Sequence, residues 1–250
     1  MRFAAPVRIV RPLFLALALS ILGFSTSVQA ADFNYLNENS VAWKKLLPPP
    51  PSANSDEQRA ELELLRTLQT TRTEAQVAQA QADAKVGLAS FQQVFGDWFT
   101  AENLPKLNEL AKKTVKDAKA VAEVSKEHFG RLRPAIAKAA VENDAKHAYP
   151  SAHSTYGTAL AVVLCELCPE QKDALLERSR EIGWDREVLG LHFPSDVVAG
   201  RVLGQAVGQA LLADEKFRQD FSAAKAEFDA VRASQNGKSA DKKPAPVGAN

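Results

Sequence analysis

Apolar residues recur at intervals of three and four along most of the chain, and no stretch shows sustained period-two alternation, so the pattern predicts helices without a sheet. Ser55-Asp56-Glu57-Gln58 reads as a capping box opening a helix with Leu62, Leu65 and Leu68 on one face. Thr73-Glu74-Ala75-Gln76 is a second box, and Val77, Ala80, Ala84 and Leu88 continue its helical spacing. Phe91, Val94, Phe95, Trp98 and Phe99 form a bulky cluster expected in the core. Leu107, Leu110, Val115, Ala118, Val121 and Val124 predict a helix within 104–130. Pro150 and Pro194, read as first-turn prolines whose missing N–H costs nothing there, each precede a helix-like run, 151–167 and 195–212. Phe217, Phe221, Ala224, Phe228 and Val231 mark a docking helix near the end.

Two stretches of the body lack this pattern. Residues 31–54, with Pro48 to Pro51, read as an extended arm. Residues 235–250, rich in Lys, Gly, Pro and Ala, are expected to be a disordered tail. What lies between is predicted to be one all-α domain, residues 31–234, of ordinary single-domain size.

The first thirty residues stand apart. Arg2, Arg8 and Arg11 precede an apolar run from Leu13 to Phe24, and Val28-Gln29-Ala30 has the small-residue form of a cleavage site. This is the pattern of a secretory signal peptide. The run is shorter than the roughly 20 residues that span a bilayer. The expected product begins at Ala31, carries 28 basic and 30 acidic residues, and is exported, periplasmic or secreted, with no stable membrane insertion.

Composition narrows the functional classes. The whole chain of 250 residues has 31 basic and 30 acidic side chains and 46% apolar residues. That balance argues against a nucleic-acid binder, which would show a basic excess or stripe. Cys165 and Cys168 close the apolar stretch 159–167, and their spacing admits three readings: two helical thiols, a local disulfide, or, least supported, a redox pair. No His, Cys or carboxylate cluster has metal-ligand spacing, so neither a metal nor another cofactor is expected. Homo-oligomerisation is left open.

Residues 126–196 carry the chemistry. Three polar clusters contain or adjoin prolines: Lys126 to Pro134, Tyr149 to His153, and Asp185 to Asp196. Ser151 and Ala152 would present backbone N–H groups at a helix start, where donors and dipole favour an anion. Lys126, Arg133 and Arg186 are three cations in a nearly neutral protein, and His153 and His192 lie beside helix starts. Phosphoryl transfer needs this inventory: cations and N–H groups for the equatorial oxygens, a nucleophile in line, and an acid for the leaving oxygen. Asp196, four residues after His192, is placed to accept from its Nδ1–H and leave Nε2 as the attacking atom. Taken singly, each residue reads as a surface charge, a cap or a structural hydrogen bond. Tyr149 reads equally as pocket lining or packing, and His128 and His147 as surface residues.

In their order and spacing these residues resemble the type 2 phosphatidic acid phosphatase superfamily and, within it, the class A bacterial non-specific acid phosphatases. That family carries K-x6-R-P, P-S-G-H and S-R-x5-H-x3-D. Here stand Lys126-x6-Arg133-Pro134, Pro150-Ser151-Ala152-His153 and Asp185-Arg186-x5-His192-x3-Asp196. The likeness extends to the leader, the Leu46-Leu47-Pro arm, and Leu68-Gln69 with Arg72-Thr73. It implies a helical bundle of the phosphatase and vanadium haloperoxidase type. It also implies metal-free hydrolysis of phosphate monoesters through a phosphohistidine, with small phosphorylated substrates and inorganic phosphate as partners. By position, His192 is the implied nucleophile, oriented by Asp196, and His153 the implied acid and then base. Lys126, Arg133, Ser151, Ala152 (through its N–H) and Arg186 are the implied phosphate binders. Two positions depart. Ala152 replaces a glycine and brings a methyl toward the phosphate. Asp185 replaces a serine and either repels phosphate beside Arg186 or forms a surface ion pair. Three other readings stand beside this one: a vanadium haloperoxidase, a non-catalytic phosphate-binding protein, and a lipid phosphatase acting at a membrane surface.

Overall fold

The computed structural model describes residues 32–136 and 146–241, which fall in one compact unit. The leader read in residues 1–30 lies outside them. In chain order the helices are α1 (Trp43–Leu46), α2 (Asp56–Thr71), α3 (Glu74–Ala82), α4 (Gln92–Phe95), α5 (Pro105–Phe129), α6 (Ala152–Leu167), α7 (Lys172–Val188), α8 (Pro194–Ala213) and α9 (Glu215–Asp241). Single turns of 3-10 helix precede α4 and α7. Among the described residues there is no strand; one isolated bridge pairs Leu132 with His147. The fold is the all-α single-domain bundle that the periodicity predicts.

Both capping signals sit at helix starts, but at α2 only the serine half of the predicted box forms. Ser55 Oγ accepts from the Gln58 amide at 3.1 Å. At α3 both halves of the box form: Gln76 N–H donates to Thr73 Oγ1 at 3.2 Å, and Thr73 N–H to Gln76 Oε1 at 2.8 Å. The spacing carried through Ala84 and Leu88 does not hold as helix. α3 stops at Ala82, because the side chain of its C-cap, Asp83, is drawn into a buried ion pair with Arg178. Leu88 belongs to the following 3-10 turn. The arm contains the single turn α1 rather than being extended throughout. It is strapped to the body by buried Asp117 of α5, whose carboxylate accepts from the amides of Asn34, Tyr35 and Leu36 at 2.7, 2.8 and 3.0 Å. α9 runs seven residues past position 234, with no proline before Pro244 to end it. Residues 242–250 lie outside the described residues.

α6 is the central element, packed by α5, α7 and α8 and buried on almost every face. Its approach to α8 is set by Gly200, Gly204 and Gly208, spaced by four on one face of α8. A Cβ on Gly200 would stand 2.5 Å from the Ser151 carbonyl oxygen, and one on Gly204 2.4 Å from that of Thr155. Only backbone fits there, and the two helix starts are brought together as a result. The Ser151 amide donates to the Asp196 carbonyl at 2.9 Å. The aromatic cluster lies where expected, with Phe91 and Phe99 fully buried and Phe228 of α9 closing on Phe95 and Trp98.

Candidate active site

The site forms where the end of α5, the start of α6, the end of α7 and the start of α8 converge. α7 finishes in a reversal that follows from Gly190. Its φ of +70° is left-handed, the Gly190 amide donates to Glu187 O at 2.8 Å, and the Leu191 amide to Arg186 O at 2.9 Å. This is a Schellman closure. It turns the chain within three residues and delivers His192 to the interior. The last carbonyls of α7 are met from α2: Gln69 Nε2 donates to Val188 O at 3.2 Å, and Arg72 donates to the same oxygen. Gln69 and Arg72, of the Leu68-Gln69 and Arg72-Thr73 pairs, thus clamp the helix end that carries Arg186.

His192 is 1% exposed. Its Nε2 lies 3.0 Å from an Arg133 amino group, which also donates to Leu191 O at 2.7 Å. A guanidinium can only donate, so Nε2 is the accepting nitrogen and Nδ1 carries the proton. Nδ1 has no hydrogen-bond partner within bonding geometry, but faces Asp196 Oδ2 at 3.4 Å. Asp196 is wholly buried in the first turn of α8, where Oδ2 caps the Phe193 amide at 2.8 Å. Burial drives the His192 pKa well below its ordinary value, with Arg133, Lys126 and Arg186 adding to the depression. Burial raises that of Asp196, against the pull of Arg131.

The other sequence-selected residues gather around the same point. Lys126, in the last turn of α5, is 3% exposed and donates to the His147 carbonyl at 3.2 Å. Arg186 is 1% exposed and donates to Ala80 O. Burial lowers the pKa of Lys126, Arg133 and Arg186 alike. Desolvated cations of this kind interact strongly with an arriving anion. Ser151 is the N-cap of α6, its Oγ accepting weakly from the Ser154 amide at 3.4 Å. Ala152 is the first helical residue, with no intrahelical acceptor for its N–H. Pro150 stands one residue before the cap, not in the first turn, because Ser151 takes the capping position. The Tyr149–Pro150 peptide is cis.

Ala152 and His153 line a cleft of about 750 Å³ with Lys126, Arg133, Lys119 and Tyr156. His153 Nε2 contacts the Ala84 carbonyl at 3.1 Å, and its ring lies 5.0 Å from that of Tyr156. A carbonyl only accepts, so this nitrogen carries the proton. Burial, then Arg186, pushes the His153 pKa down to about 3.

Two sequence expectations change, at Asp185 and His147, and one open alternative, at Tyr149, is decided. Asp185 is no surface ion pair: it is 2% exposed, with Asp83 and Arg178 for neighbours. Burial and the Asp83 side chain push its carboxyl above the ordinary range, which weakens the repulsion it could exert on an anion at Arg186. Tyr149 is packing: its hydroxyl donates to Pro48 O at 2.6 Å and its ring meets Phe129. His147 contributes its carbonyl to Lys126 and is only partly exposed. Cys165 and Cys168 are free thiols, in α6 and at its C-cap. Sequence reasoning also passed over Arg131 and Glu61, which meet beside Asp196. Their signal in the sequence was slight: a second arginine two residues before Arg133, and one acidic residue on an apparently solvated helix.

Among the described residues, no group of three or more His, Cys, Asp or Glu side chains is placed to hold a metal ion, and no helix is long and apolar enough to cross a membrane. Residues 117–220 match the family described as the PAP2 superfamily. The chain is 33% identical to a non-specific acid phosphatase of Providencia stuartii, over 79% of this chain and 85% of that protein. It is 30% identical to a non-specific acid phosphatase of Salmonella typhimurium, over 72% and 77% of the two chains. In fold it is similar to a bacterial vanadium-dependent iodoperoxidase, with a TM-score of 0.50 and 15% identity over 70% of this chain and 53% of that one. The chain belongs to the PAP2 superfamily. Within that superfamily it is a member of the family of non-specific acid phosphatases.

Proposed function

We propose that the protein is an exported, metal-independent acid phosphatase that hydrolyses small phosphate monoesters through a phosphohistidine at His192. The observation that carries this reading is the state of His192. It is buried, its Nδ1 faces Asp196, and its Nε2 lies against an Arg133 amino group, with Lys126 and Arg186 near enough to act on its charge.

The chemistry follows from that geometry. A substrate phosphate takes over the donors of Arg133, Lys126 and Arg186 and the amides at the start of α6. Arg133 thereby releases Nε2. The Nε2 lone pair forms the P–N bond as the P–O ester bond breaks, and Asp196 supports the positive charge that develops on the ring. The leaving oxygen replaces the Ala84 carbonyl as partner of His153, which, protonated, donates to it. Water then attacks phosphorus from the vacated side and gives its proton to His153. The P–N bond breaks, and inorganic phosphate and neutral His192 are regenerated. Ala152 keeps its N–H for the phosphate, with its methyl on the cleft wall. The likeness to an iodoperoxidase is one of fold, and the relatives of closer sequence are acid phosphatases.

The test is a leaving-group series. Wild-type protein should release phosphate from p-nitrophenyl phosphate and from alkyl phosphates. His153→Ala should lose roughly a hundred- to ten-thousand-fold on alkyl phosphates, whose alkoxide must be protonated, and much less on p-nitrophenyl phosphate. A loss that does not depend on the leaving group would remove His153 from the acid role.

A further inference from the structure

The geometry points to Arg131 as a positioning residue of this site, acting on His192 through Asp196 and held in place by Glu61 of α2. The inference rests on the hydrolytic reading above.

Arg131 and Arg133 flank Leu132 in the extended segment after α5. The segment is fixed by the Leu132–His147 bridge and by the Ala148 amide donating to Arg131 O at 2.8 Å. Alternation along an extended chain sends both arginines to one side and Leu132, 61% exposed, to the other. The two guanidinium groups therefore bracket the His–Asp pair. Arg133 meets Nε2 of His192, and Arg131 meets the far oxygen of Asp196. One Arg131 amino group lies 2.6 Å from Asp196 Oδ1 and 2.7 Å from Ser195 Oγ; the other lies 2.7 Å from Glu61 Oε2. The guanidinium is 4.0 Å from the centre of the Phe193 ring. Glu61 uses its second oxygen to accept the Ser195 amide at 2.7 Å. The Arg131 side chain is 5% exposed.

A structural ion pair between α2 and α8 would account for the burial but not for the division of labour on Asp196. Arg131 engages Oδ1 alone. Oδ2 stays with the Phe193 amide and faces His192 Nδ1. Removing Arg131 would free the carboxylate to rotate and take away the cation that offsets its burial. The other charged or titratable groups near Asp196 are Arg133, Lys126 of α5, Glu187 of α7, Tyr149 before α6, and His192 itself. Arg131 meets Oδ1 directly, at 2.6 Å, while Glu187 opposes ionisation. Without Arg131, Asp196 takes up a proton at higher pH and no longer supports the imidazolium.

The test compares Arg131→Gln, Arg131→Lys and Glu61→Gln with wild type. For Arg131→Gln, kcat on p-nitrophenyl phosphate should fall on the order of ten- to a hundred-fold, the loss usual for an orienting partner one step from the reacting group. KM should change little, and the acid limb of the kcat profile should move to higher pH. Arg131→Lys keeps the charge and should restore most of that limb. Glu61→Gln should shift it less, in the same direction. Independently of turnover, the ¹⁵N signal of His192 Nδ1–H should change in Arg131→Gln. If Arg131→Gln fails to fold, Arg131→Lys and Glu61→Gln carry the comparison. Lower thermal stability with unmoved pH limbs and an unmoved His192 signal would overturn the proposal. Failure of the hydrolytic reading itself would look different: wild type would not turn over, or His192→Ala would remain active, whatever the Arg131 variants do.

Discussion

His153 should be neutral in the free protein and gain its proton with the substrate. Burial and the cations Arg186 and Lys126 push its pKa from 6.5 down to about 3. At pH 5 to 6 the free site therefore lacks the acid that hydrolysis requires. A bound phosphate carries negative charge into the same pocket, about 4–6 Å from the ring. With an effective dielectric constant of 20, one unit charge at that range is worth about 3–4 kcal/mol, or roughly 2–3 pH units. That shift returns His153 close to its ordinary value. The sign is fixed: the acid form is present below the pKa and lost above it, so phosphate should extend the protonated range upward. The chain has only four histidines, so their NMR signals can be assigned by single substitution. Titrated alone, the His153 signal should stay in its neutral position down to about pH 4; with saturating inorganic phosphate it should titrate roughly 2–3 units higher. A free-protein titration near 6.5, or one that phosphate leaves unmoved, would refute the reasoning.

Two further outcomes follow from the fold and the side-chain inventory. Gly204→Ala places a methyl 2.4 Å from Thr155 O, so α6 and α8 must separate by about 1 Å; overpacking of this kind costs about 1–3 kcal/mol, a fall in Tm of roughly 2–12 °C, and a 1 Å displacement can cost about a hundred-fold in rate. Gly87→Ala, whose added methyl would meet nothing within 4 Å, is the control and should change neither thermal melting nor kcat. Dialysis against EDTA should leave p-nitrophenyl phosphate hydrolysis intact, since buried cations do the electrostatic work; loss of activity restored by a divalent ion would count against the mechanism.

The sequence was most legible where local signals and chemistry coincide. The caps at Ser55 and Thr73, the α5 spacing, and the ordered Lys126–Arg133, Ser151–His153 and Arg186–Asp196 clusters are each visible as written, and the fold brings those clusters to one place. α7 was not legible, because its inward face is polar: Arg178, Ser179, Asp185 and Arg186 are buried there with only a few aliphatic residues. Such a face has little apolar periodicity. Asp185 and Arg131 resemble surface charges for the same reason, since burial of a charge depends on partners remote in sequence, here Asp83 and Glu61. The glycines of α8 read as weak helix formers until α6 is placed against them. The end of α3 was missed because Asp83 responds to Arg178, 95 residues away.

The central claim is that His192 carries the phosphoryl group. His153→Ala, given p-nitrophenyl phosphate and quenched within the first turnovers, should hold phosphate that is labile in acid and stable in base. Peptide mass spectrometry should find it on the His192 peptide and nowhere else, and His192→Ala should show neither label nor turnover. A phosphate-free His192 peptide in the trapped variant, or turnover that survives His192→Ala, would contradict the account.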